Sequence, residues 1–397
     1  MVEVNPELFF YKFEGNYYVF SPSNQNILKV SKILFNQLKS KGIKDLSTEI
    51  RKFLLQQKVL LKNYVKKKEP LSLGLKITSD CNFNCSFCSQ KGLSNNKTKM
   101  EWSIARIAVD SYMAQELPFY KIGFFGGEPL LNAPLISKIV SYISKIYPKK
   151  KVIYNINTNG FFLEKHLELI DKDNFLVGVS VHGSKEYYQK RNEISKYNQI
   201  ISALQRYKNK EKVVITSLLC SDNVDTLSKM IDEFKLLGIN NFALCIPSFN
   251  ISKYWKDTGG GKVMAKKVIR LFRKCHKENV KLIFSNWGFW LEKTENCQSF
   301  AGASVFVNTN GVVNICHSIA KNIGNILKGD IKDLTVKTGN IPDKIKKELK
   351  YCCSCEIYNF CKGGCLADQT LNRSRDSTFC EFAKEFFKLY LRFLLKK

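Results

Sequence analysis

The sequence lacks the features that would place the protein in or across a membrane. Its first residues carry acidic and aromatic side chains where a secretory signal has a basic stretch followed by an apolar one, so no export signal is expected. No run of eighteen apolar residues occurs, so no transmembrane helix is expected either. We therefore expect a cytoplasmic protein, and 397 residues are enough for two or three domains.

Acidic residues are also scarce, since 35 Asp and Glu face 63 Lys and Arg, a net charge of +28. Such an excess can reflect nucleic-acid binding, an acidic peptide partner or an AT-rich genome that encodes Lys freely. The lysines are spread along the chain, and no short Arg/Lys–aromatic block suggests base stacking. We favour composition together with an acidic peptide partner and rank nucleic acid below it.

Cysteine is abundant, with 14 residues, which in a chain of this kind argues for metal rather than disulfides. Cys81, Cys85 and Cys88 form a C-x3-C-x2-C triplet. Three thiolates can hold a four-iron cluster and leave one iron without a protein ligand, because the usual all-protein cluster has four. The alternative is a zinc site, but no second C-x2-C knuckle follows within sixty residues.

The first seventy residues predict a small module. Residues 8–30 contain three short strands, the first two joined by a hairpin turn at residues 14–16. Ser31 and Ser47 are placed to cap two helices that end near Ser40 and Gln57. This order is that of a winged-helix-like module, and the Lys-rich residues 66–70 read as a linker after it.

From residue 71 strands and helices alternate, which predicts a parallel sheet with right-handed crossovers. Helical stretches are expected at 101–116, 133–146, 162–171, 197–208 and 224–237. The strands are expected at Leu73–Thr78, Lys121–Phe125, Val152–Asn157, Leu176–Val181, Val213–Leu219 and Phe242–Ile246. A partial (β/α)6 barrel and a doubly wound sheet both fit, and both place functional residues at the carboxyl ends of the strands.

Polar and glycine-rich segments follow those strand ends. Gly126-Gly127-Glu128-Pro129 follows the second strand, where glycines allow close approach to a ligand and the carboxylate could face an ammonium. The third strand ends in Asn157-Thr158-Asn159-Gly160 and the fourth in Ser180-Val181-His182-Gly183. Asn157, Asn159 and Ser180 could bind ribose hydroxyls or a carboxylate, although such residues also simply form turns.

A second array of cysteines lies near the carboxyl end: Cys297, Cys316, Cys352, Cys355, Cys361, Cys365 and Cys380. A double zinc ribbon is the alternative to iron–sulfur clusters, but seven thiolates fit two tetrahedral sites poorly. The chain then ends in a basic amphipathic helix over 381–397. Its apolar stripe could lie on a membrane, and we expect it to pack on the protein core instead.

The triplet, with Phe87 before its last cysteine, and the Gly126–Pro129 motif one strand later resemble the radical SAM superfamily. The resemblance implies an α/β partial barrel in which Cys81, Cys85 and Cys88 hold the catalytic [4Fe-4S] cluster. Its open iron would bind S-adenosyl-L-methionine (SAM), and Gly126, Gly127, Glu128 and Pro129 would bind the methionyl amino group. Ser180 and Arg191 are candidate contacts to the SAM ribose or carboxylate; the family often has Asp where His182 stands.

The carboxyl-terminal array resembles the SPASM domain of radical SAM peptide maturases. The resemblance assigns Cys352, Cys355, Cys361 and Cys380 to one auxiliary [4Fe-4S] cluster, and Cys297, Cys316 and Cys365 to another. Three clusters and SAM are therefore expected. The expected domains are a leader-peptide recognition module with its linker (1–70), the radical SAM partial barrel (71–290) and a SPASM domain (291–397).

The resemblance implies hydrogen abstraction from a ribosomally made precursor peptide bearing a leader sequence, with a one-electron donor such as flavodoxin or ferredoxin. Among peptide products we favour a Cys thioether, because the cluster of Cys297, Cys316 and Cys365 could have an open iron for a substrate thiolate. Carbon–carbon cross-linking and epimerisation are alternatives. A sulfatase-maturing enzyme is another, although those carry Asp where this chain has His317. A non-catalytic iron–sulfur carrier or zinc-binding adaptor would need neither the open iron nor the Gly126–Pro129 motif.

Overall fold

The computed structural model describes residues 8–21, 26–41, 46–60, 71–88, 97–247, 251–284, 303–317, 319–336, 352, 355–361, 363–365 and 377–395. Two sheets organise these residues, one of three strands and one of ten. The small sheet belongs to the first seventy residues, and the large one runs through the rest of the chain.

The small sheet contains the three strands predicted for residues 8–30: β1 (Phe9–Phe13), β2 (Asn16–Ser21) and β3 (Asn26–Val30), all antiparallel. Positive φ angles at Glu14 (48°) and Gly15 (75°) form the tight turn between β1 and β2. Helices α1 (Lys32–Lys41) and α2 (Thr48–Gln56) follow. The Ser31 and Ser47 hydroxyls accept hydrogen bonds from backbone N–H groups three residues on, as predicted for N-caps.

One face of the small sheet packs on its own helices, and the other packs on the rest of the protein. Leu8, Val19 and Leu54 belong to the module's own buried cluster. Tyr11 and Phe20 instead join the main core, where the Tyr11 ring lies 4.5 Å from that of Phe387. The module is therefore built into the body of the protein. The expected linker residues, 66–70, lie outside the described residues.

The large sheet contains a run of parallel strands in sequence order. These are β4 (Ser72–Thr78), β5 (Tyr120–Gly126), β6 (Val152–Thr158), β7 (Phe175–Ser180), β8 (Val213–Leu218), β9 (Asn241–Cys245) and β10 (Lys281–Phe284). The strand order never reverses from β4 to β10, so this part of the sheet has no switch point of a doubly wound fold. Right-handed crossovers in one direction place the helices on one side and curve the sheet as a partial barrel.

Helices connect these strands largely where the sequence predicts them. They are α3 (Trp102–Met113), α4 (Ala133–Ile146), α5 (Leu167–Ile170), α6 (Lys185–Lys190), α7 (Ile194–Arg206), α8 (Leu227–Lys235), α9 (Ile251–Trp255) and α10 (Gly261–Lys277). The helix predicted over 162–171 is reduced to a 3-10 turn (Glu164–His166) and the short α5. Strand β10 lies beyond the six strands predicted.

The ten-stranded sheet continues into the cysteine-rich part of the chain. Strand β11 (Ser304–Val307) runs parallel to β4, and β12 (Val312–Cys316) and β13 (Ile319–Asn325) add antiparallel strands outside it. Helices α11 (Ile331–Val336) and α12 (Tyr358–Cys361) follow. Backbone pairing thus joins the carboxyl-terminal region directly to the edge of the barrel sheet.

The last helix, α13 (Ser377–Leu394), packs against the core as expected. Phe382 and Phe386 on its apolar stripe are fully buried, and its closest helix neighbour is α10. A Cβ at Gly261, the first residue of α10, would lie 2.0 Å from the Thr378 carbonyl oxygen, so glycine permits this contact. Within the described residues, no helix is long and apolar enough to cross a bilayer.

Candidate active site

The cysteine triplet lies on the loop after β4, at the carboxyl end of the parallel strands. The Cys88 N–H donates to the Cys85 carbonyl (3.3 Å), and the Phe83 N–H points to the Cys81 sulfur (3.4 Å). The Cys81 and Cys88 residues are exposed and Cys85 is half-buried. The loop therefore presents its thiols at the surface of the strand ends rather than in the core.

Partial loss of hydration within the loop raises the pKa of the Cys81 and Cys85 thiols, and negative charge on the other triplet thiols raises it further. The thiolate is the form that binds metal, so loading this site must displace protons. No three acidic, thiol or imidazole groups converge as ligands of a single ion among the residues with described positions.

Gly126 and Gly127 are required where the triplet loop crosses the end of β5. The Gly127 N–H donates to the Thr78 carbonyl (2.9 Å), and the Glu128 N–H donates to the Asp80 carbonyl (2.7 Å). A Cβ at Gly126 would lie 1.9 Å from the Thr78 oxygen, and one at Gly127 would lie 2.0 Å from the Asp80 oxygen. The close approach that the sequence assigned to a ligand is therefore made, in this structure, by the backbone that leads into the triplet.

The Glu128 carboxylate is fully buried and already has three donors. It accepts hydrogen bonds from the Leu130 N–H (3.1 Å), the Thr158 hydroxyl (2.8 Å) and the Asn159 N–H (2.7 Å). Burial raises its pKa, and these donors oppose the rise. Glu128 thus ties the end of β5 to the end of β6, and Pro129 opens the 3-10 turn (Pro129–Asn132) that this carboxylate caps.

The two candidate asparagines differ in their contacts with the triplet. The Asn159 amide donates to the Asn82 side chain (2.8 Å) and lies 3.9 Å from the Cys81 sulfur, so it borders the triplet directly. Asn157 is exposed on β6. The Ser180 hydroxyl, at the end of β7, lies 3.4 Å from that of Thr216 on the neighbouring strand. These groups share the carboxyl end of the sheet with the triplet, as the sequence predicts.

Arg191 and His182 have partners within the protein. The Arg191 guanidinium pairs with Asp222 (3.1 Å) and lies over the Tyr187 ring. The His182 ring meets the Phe87 ring edge-on at 4.7 Å and accepts a long hydrogen bond from the Leu218 N–H (3.4 Å). Burial lowers the His182 pKa to about 4, so the imidazole is neutral near pH 7. Phe87 and His182 together form one wall beside Cys88.

Two lysines near the triplet were not predicted. The Lys196 ammonium lies 4.4 Å from the centre of the Phe83 ring, pairs with Glu193, and lowers the pKa of Cys85. Lys76, on β4, is 6% exposed. Burial lowers the pKa of its ammonium, and negative charge on Cys88 opposes that lowering. Lys196 carried no sequence signal, because its helix brings it to the loop from more than a hundred residues away. A Lys inside an apolar strand was a signal that could have been used.

The second cysteine array is only partly described. Cys316 is buried at the end of β12, Cys361 is buried at the end of α12, and Cys380 lies on α13. The Cys355 N–H donates to the Cys352 carbonyl (3.0 Å), and the Gly364 N–H, next to Cys365, donates to the Cys361 carbonyl (3.0 Å). Cys297 lies outside the described residues. The two expected ligand sets therefore remain predictions.

Residues 75–233 match the sequence model of the Radical SAM superfamily, and the match includes the triplet, Gly126–Pro129 and the strand ends described above. These residues form a radical SAM enzyme domain. They are part of an α/β fold with a parallel sheet, so the predicted fold class is confirmed.

Two relatives illustrate the range of similarity. An uncharacterized protein of Methanocaldococcus jannaschii is 41% identical over 110 residues, which is 28% of this chain and 37% of that protein. A cysteine-type anaerobic sulfatase-maturating enzyme of Clostridium perfringens is 24% identical over 372 residues, covering 80% of this chain and 96% of the relative. The chain is therefore related over most of its length to a sulfatase-maturating enzyme.

Solved structures share the fold at lower identity. Native anSMEcpe with bound AdoMet and Cp18Cys peptide aligns with a TM-score of 0.66 at 21% identity, over 82% of this chain and 98% of that one. SuiB of Streptococcus suis bound to precursor peptide SuiA aligns with a TM-score of 0.56 at 14% identity, over 95% of this chain and 99% of that one. The second alignment covers the larger share of this chain.

Proposed function

We propose that this protein is a radical SAM peptide maturase that abstracts hydrogen from a ribosomally made precursor and installs a cross-link. The observation that carries the proposal is the joint position of the triplet loop and the Gly126–Pro129 motif, which are bonded to each other at the carboxyl end of a curved parallel sheet. The two solved structures with bound peptides share this fold, which supports a peptide as substrate.

The residues around the triplet suit this role. Cys81, Cys85 and Cys88 would hold the catalytic cluster, which supplies the electron for reductive cleavage of SAM when it is bound. Asn159 beside Cys81, and Ser180 on the neighbouring strand end, could bind polar groups of SAM. The Phe87–His182 pair is apolar in character because the imidazole is neutral, and it would keep water from that side.

Metal content and SAM cleavage test the catalytic site. After anaerobic reconstitution we expect about twelve iron and twelve sulfide per chain, from three clusters of four. Changing Cys81, Cys85 and Cys88 together to Ala should remove about four iron and abolish formation of 5′-deoxyadenosine. A matched control replaces Cys275, a buried thiol on α10 that belongs to neither array, and should keep iron and cleavage. Cleavage by the triple variant would disprove the site.

We further propose that residues 1–70 recognise a leader peptide. Within the described residues β1 pairs only with β2, so its other edge can accept an added strand. A cavity of about 500 Å³ lies between β1 and α13. Its charged lining is mixed, with four lysines (Lys12, Lys262, Lys384 and Lys388) and three glutamates (Glu356, Glu381 and Glu385), and its aromatic lining is Tyr11, Phe13 and Phe387. The apolar anchors of a leader would match the aromatic lining, and the positive net charge of the whole chain would steer an acidic leader to the protein.

Charge reversal tests leader binding. Changing Lys12 and Lys384 together to Glu should weaken binding of a synthetic acidic peptide with apolar anchors, without loss of SAM cleavage in the absence of that peptide. Lys39→Glu on the exposed side of α1 is the control. Equal binding by both variants would remove the leader-recognition role. The two remaining parts of the proposal are an external one-electron donor, such as flavodoxin or ferredoxin, and a cytoplasmic location.

For the bond formed, we propose a Cys thioether, supported by the possible open iron at Cys297, Cys316 and Cys365. Such a product loses two hydrogens and one alkylatable thiol per link. A two-hydrogen loss with every thiol still reactive to iodoacetamide indicates carbon–carbon bonding. An unchanged mass in water, with deuterium uptake in deuterium oxide, indicates epimerisation.

Sulfatase maturation is the second candidate, because the related C. perfringens enzyme matches 80% of this chain. His317, which contacts the rings of Phe125 and Phe306, stands where the resemblance to sulfatase-maturing enzymes leads us to expect an Asp. Incubation with an inactive cysteine-type sulfatase separates the candidates. Activation of the sulfatase would support this second function, and its absence together with modification of the peptide would support the first.

A further inference from the structure

Lys76 has a buried side-chain stem and a charged end that the proposed function does not yet use. It lies on β4 between Leu75 and Ile77, which belong to the main core, so its side chain points to the opposite, inner face of the curved sheet. Only 6% of the residue is exposed. Burial lowers the pKa of its ammonium, because the charged form loses hydration.

The neighbours of Lys76 on the inner face are mainly aromatic. A Cβ at Gly74, two residues before it on the same face, would touch the rings of Phe306 (2.4 Å) and Phe125 (3.2 Å). Phe125 pairs with Lys76 in the sheet register, and its ring lies 5.3 Å from that of Phe306. The ring of His317 contacts both of these rings. This wall can cover the Lys76 stem, but it contains no carboxylate.

Throughout the described part of the chain, Lys76 has no hydrogen bond or ion pair to its ammonium. Other part-buried lysines do have such partners: Lys274 pairs with Asp232 at 2.6 Å, and Lys235 pairs with Glu278 at 2.5 Å. The charge acting on Lys76 is that of Cys88. A Cys88 sulfur bound to iron would offset the charge but leave the three ammonium donors without good acceptors. The ammonium nitrogen is not among the buried side-chain atoms that lack a partner, so it reaches the open space on the inner face, where an acceptor from outside the chain can bind it.

We propose that Lys76 binds a carboxylate on the inner face of the sheet, beside the triplet loop. This inference rests on the proposed function, since both ligands of that function offer this chemistry. The carboxylate belongs either to the methionyl group of SAM or to an acidic residue of the peptide. In both cases the lysine would orient its ligand next to the cluster.

The test compares Lys76→Met with Lys76→Arg and with Lys121→Met. Methionine keeps the apolar stem and removes the charge, so folding should be retained. Arginine keeps the charge and should preserve much of the binding. Lys121 lies on the same face of β5 at the opposite end of the sheet, with its ammonium over the Phe119 ring, and serves as the matched control.

Binding is measured on reconstituted enzyme with two pairs of probes. SAM and decarboxylated SAM differ in the methionyl carboxylate. Acetyl-glutamate amide and acetyl-glutamine amide, added with SAM and followed by ligand-observed NMR, differ in the charge of a peptide-like side chain. Loss of a charged hydrogen bond should weaken affinity about 10- to 100-fold in Lys76→Met, and only for the carboxylate-bearing member of a pair.

Loss confined to SAM assigns the carboxylate to the cofactor, and loss confined to the glutamate probe assigns it to the peptide; either supports the proposal. Unchanged affinity for both carboxylates in Lys76→Met overturns it, as does equal loss for both members of a pair. Reduced iron content with unchanged affinities would mean that Lys76 only offsets the negative charge of the cysteine thiolates. That result would also overturn the proposal. Failure of the wild-type protein to bind iron or cleave SAM would instead count against the proposed function.

Discussion

Gly127→Ala should separate the structural role of the Gly126–Pro129 motif from any direct contact with a ligand. The added Cβ would lie 2.0 Å from the Asp80 carbonyl oxygen and 2.5 Å from its carbon. Ordinary contact begins at 3.4 Å, so the triplet loop must retreat by about 1.4 Å, the difference between 3.4 and 2.0 Å. The chain cannot relieve this by rotating a side chain, because the contact is with backbone.

Two backbone hydrogen bonds cross this contact, from Gly127 to Thr78 (2.9 Å) and from Glu128 to Asp80 (2.7 Å). At about 0.5–1.5 kcal/mol each, their loss would weaken the loop attachment by about 1–3 kcal/mol. A displacement of about 1 Å near reacting groups can cost on the order of 100-fold in rate. We therefore expect SAM cleavage to fall on the order of 100-fold, with partial loss of iron from the catalytic cluster.

Gly123→Ala is the matched control on the same strand. A Cβ there would have its nearest neighbour at 3.9 Å, the Leu73 carbonyl oxygen, which is ordinary contact. This variant should keep iron content and cleavage near those of the wild type. The assay measures iron after anaerobic reconstitution and 5′-deoxyadenosine formation with dithionite. Wild-type iron and cleavage in Gly127→Ala would refute the reasoning that the glycine admits the triplet loop.

Two further predictions concern buried groups. Tyr11→Phe should leave the free energy of unfolding unchanged or raise it by about 1 kcal/mol, because its buried hydroxyl has no hydrogen-bond partner among the described residues. Tyr112→Phe should lower the free energy of unfolding by about 1–2 kcal/mol, because that hydroxyl donates to the Leu71 carbonyl at 2.6 Å. Chemical denaturation measures both variants, and a lower stability of Tyr11→Phe than of Tyr112→Phe would contradict this prediction. The His182 pKa is lowered to about 4 from its usual 6.5, so the unfolded chain binds more protons between those values and stability should rise with pH across that window, by at most about 3 kcal/mol. Metal-free His182→Asn protein should lose that part of the slope, and an unchanged slope would count against a buried neutral imidazole.

The local pattern of the sequence was enough to predict most of the secondary structure and to place the cysteine triplet on one loop. Alternating apolar runs placed the strands because each buries one face, and Ser31 and Ser47 marked helix starts because their hydroxyls accept otherwise free N–H groups. The spacing of Cys81, Cys85 and Cys88 predicted a shared site because close spacing on one loop guarantees that the thiols stay near each other. These inferences needed no knowledge of distant contacts.

Tertiary structure decided what depends on residues far apart in sequence. Only strand order distinguishes a partial barrel from a doubly wound sheet, since both have the same succession of elements. The pairing of β11 with β4 joins segments more than two hundred residues apart, and no local pattern records it. Glu128 shows the same limit: its position in the motif suggested a ligand for an ammonium, but its burial against three donors from two strand ends could be seen only when those ends met. Burial and partners are properties of the packed chain, and sequence alone fixes them only where the contacts are local.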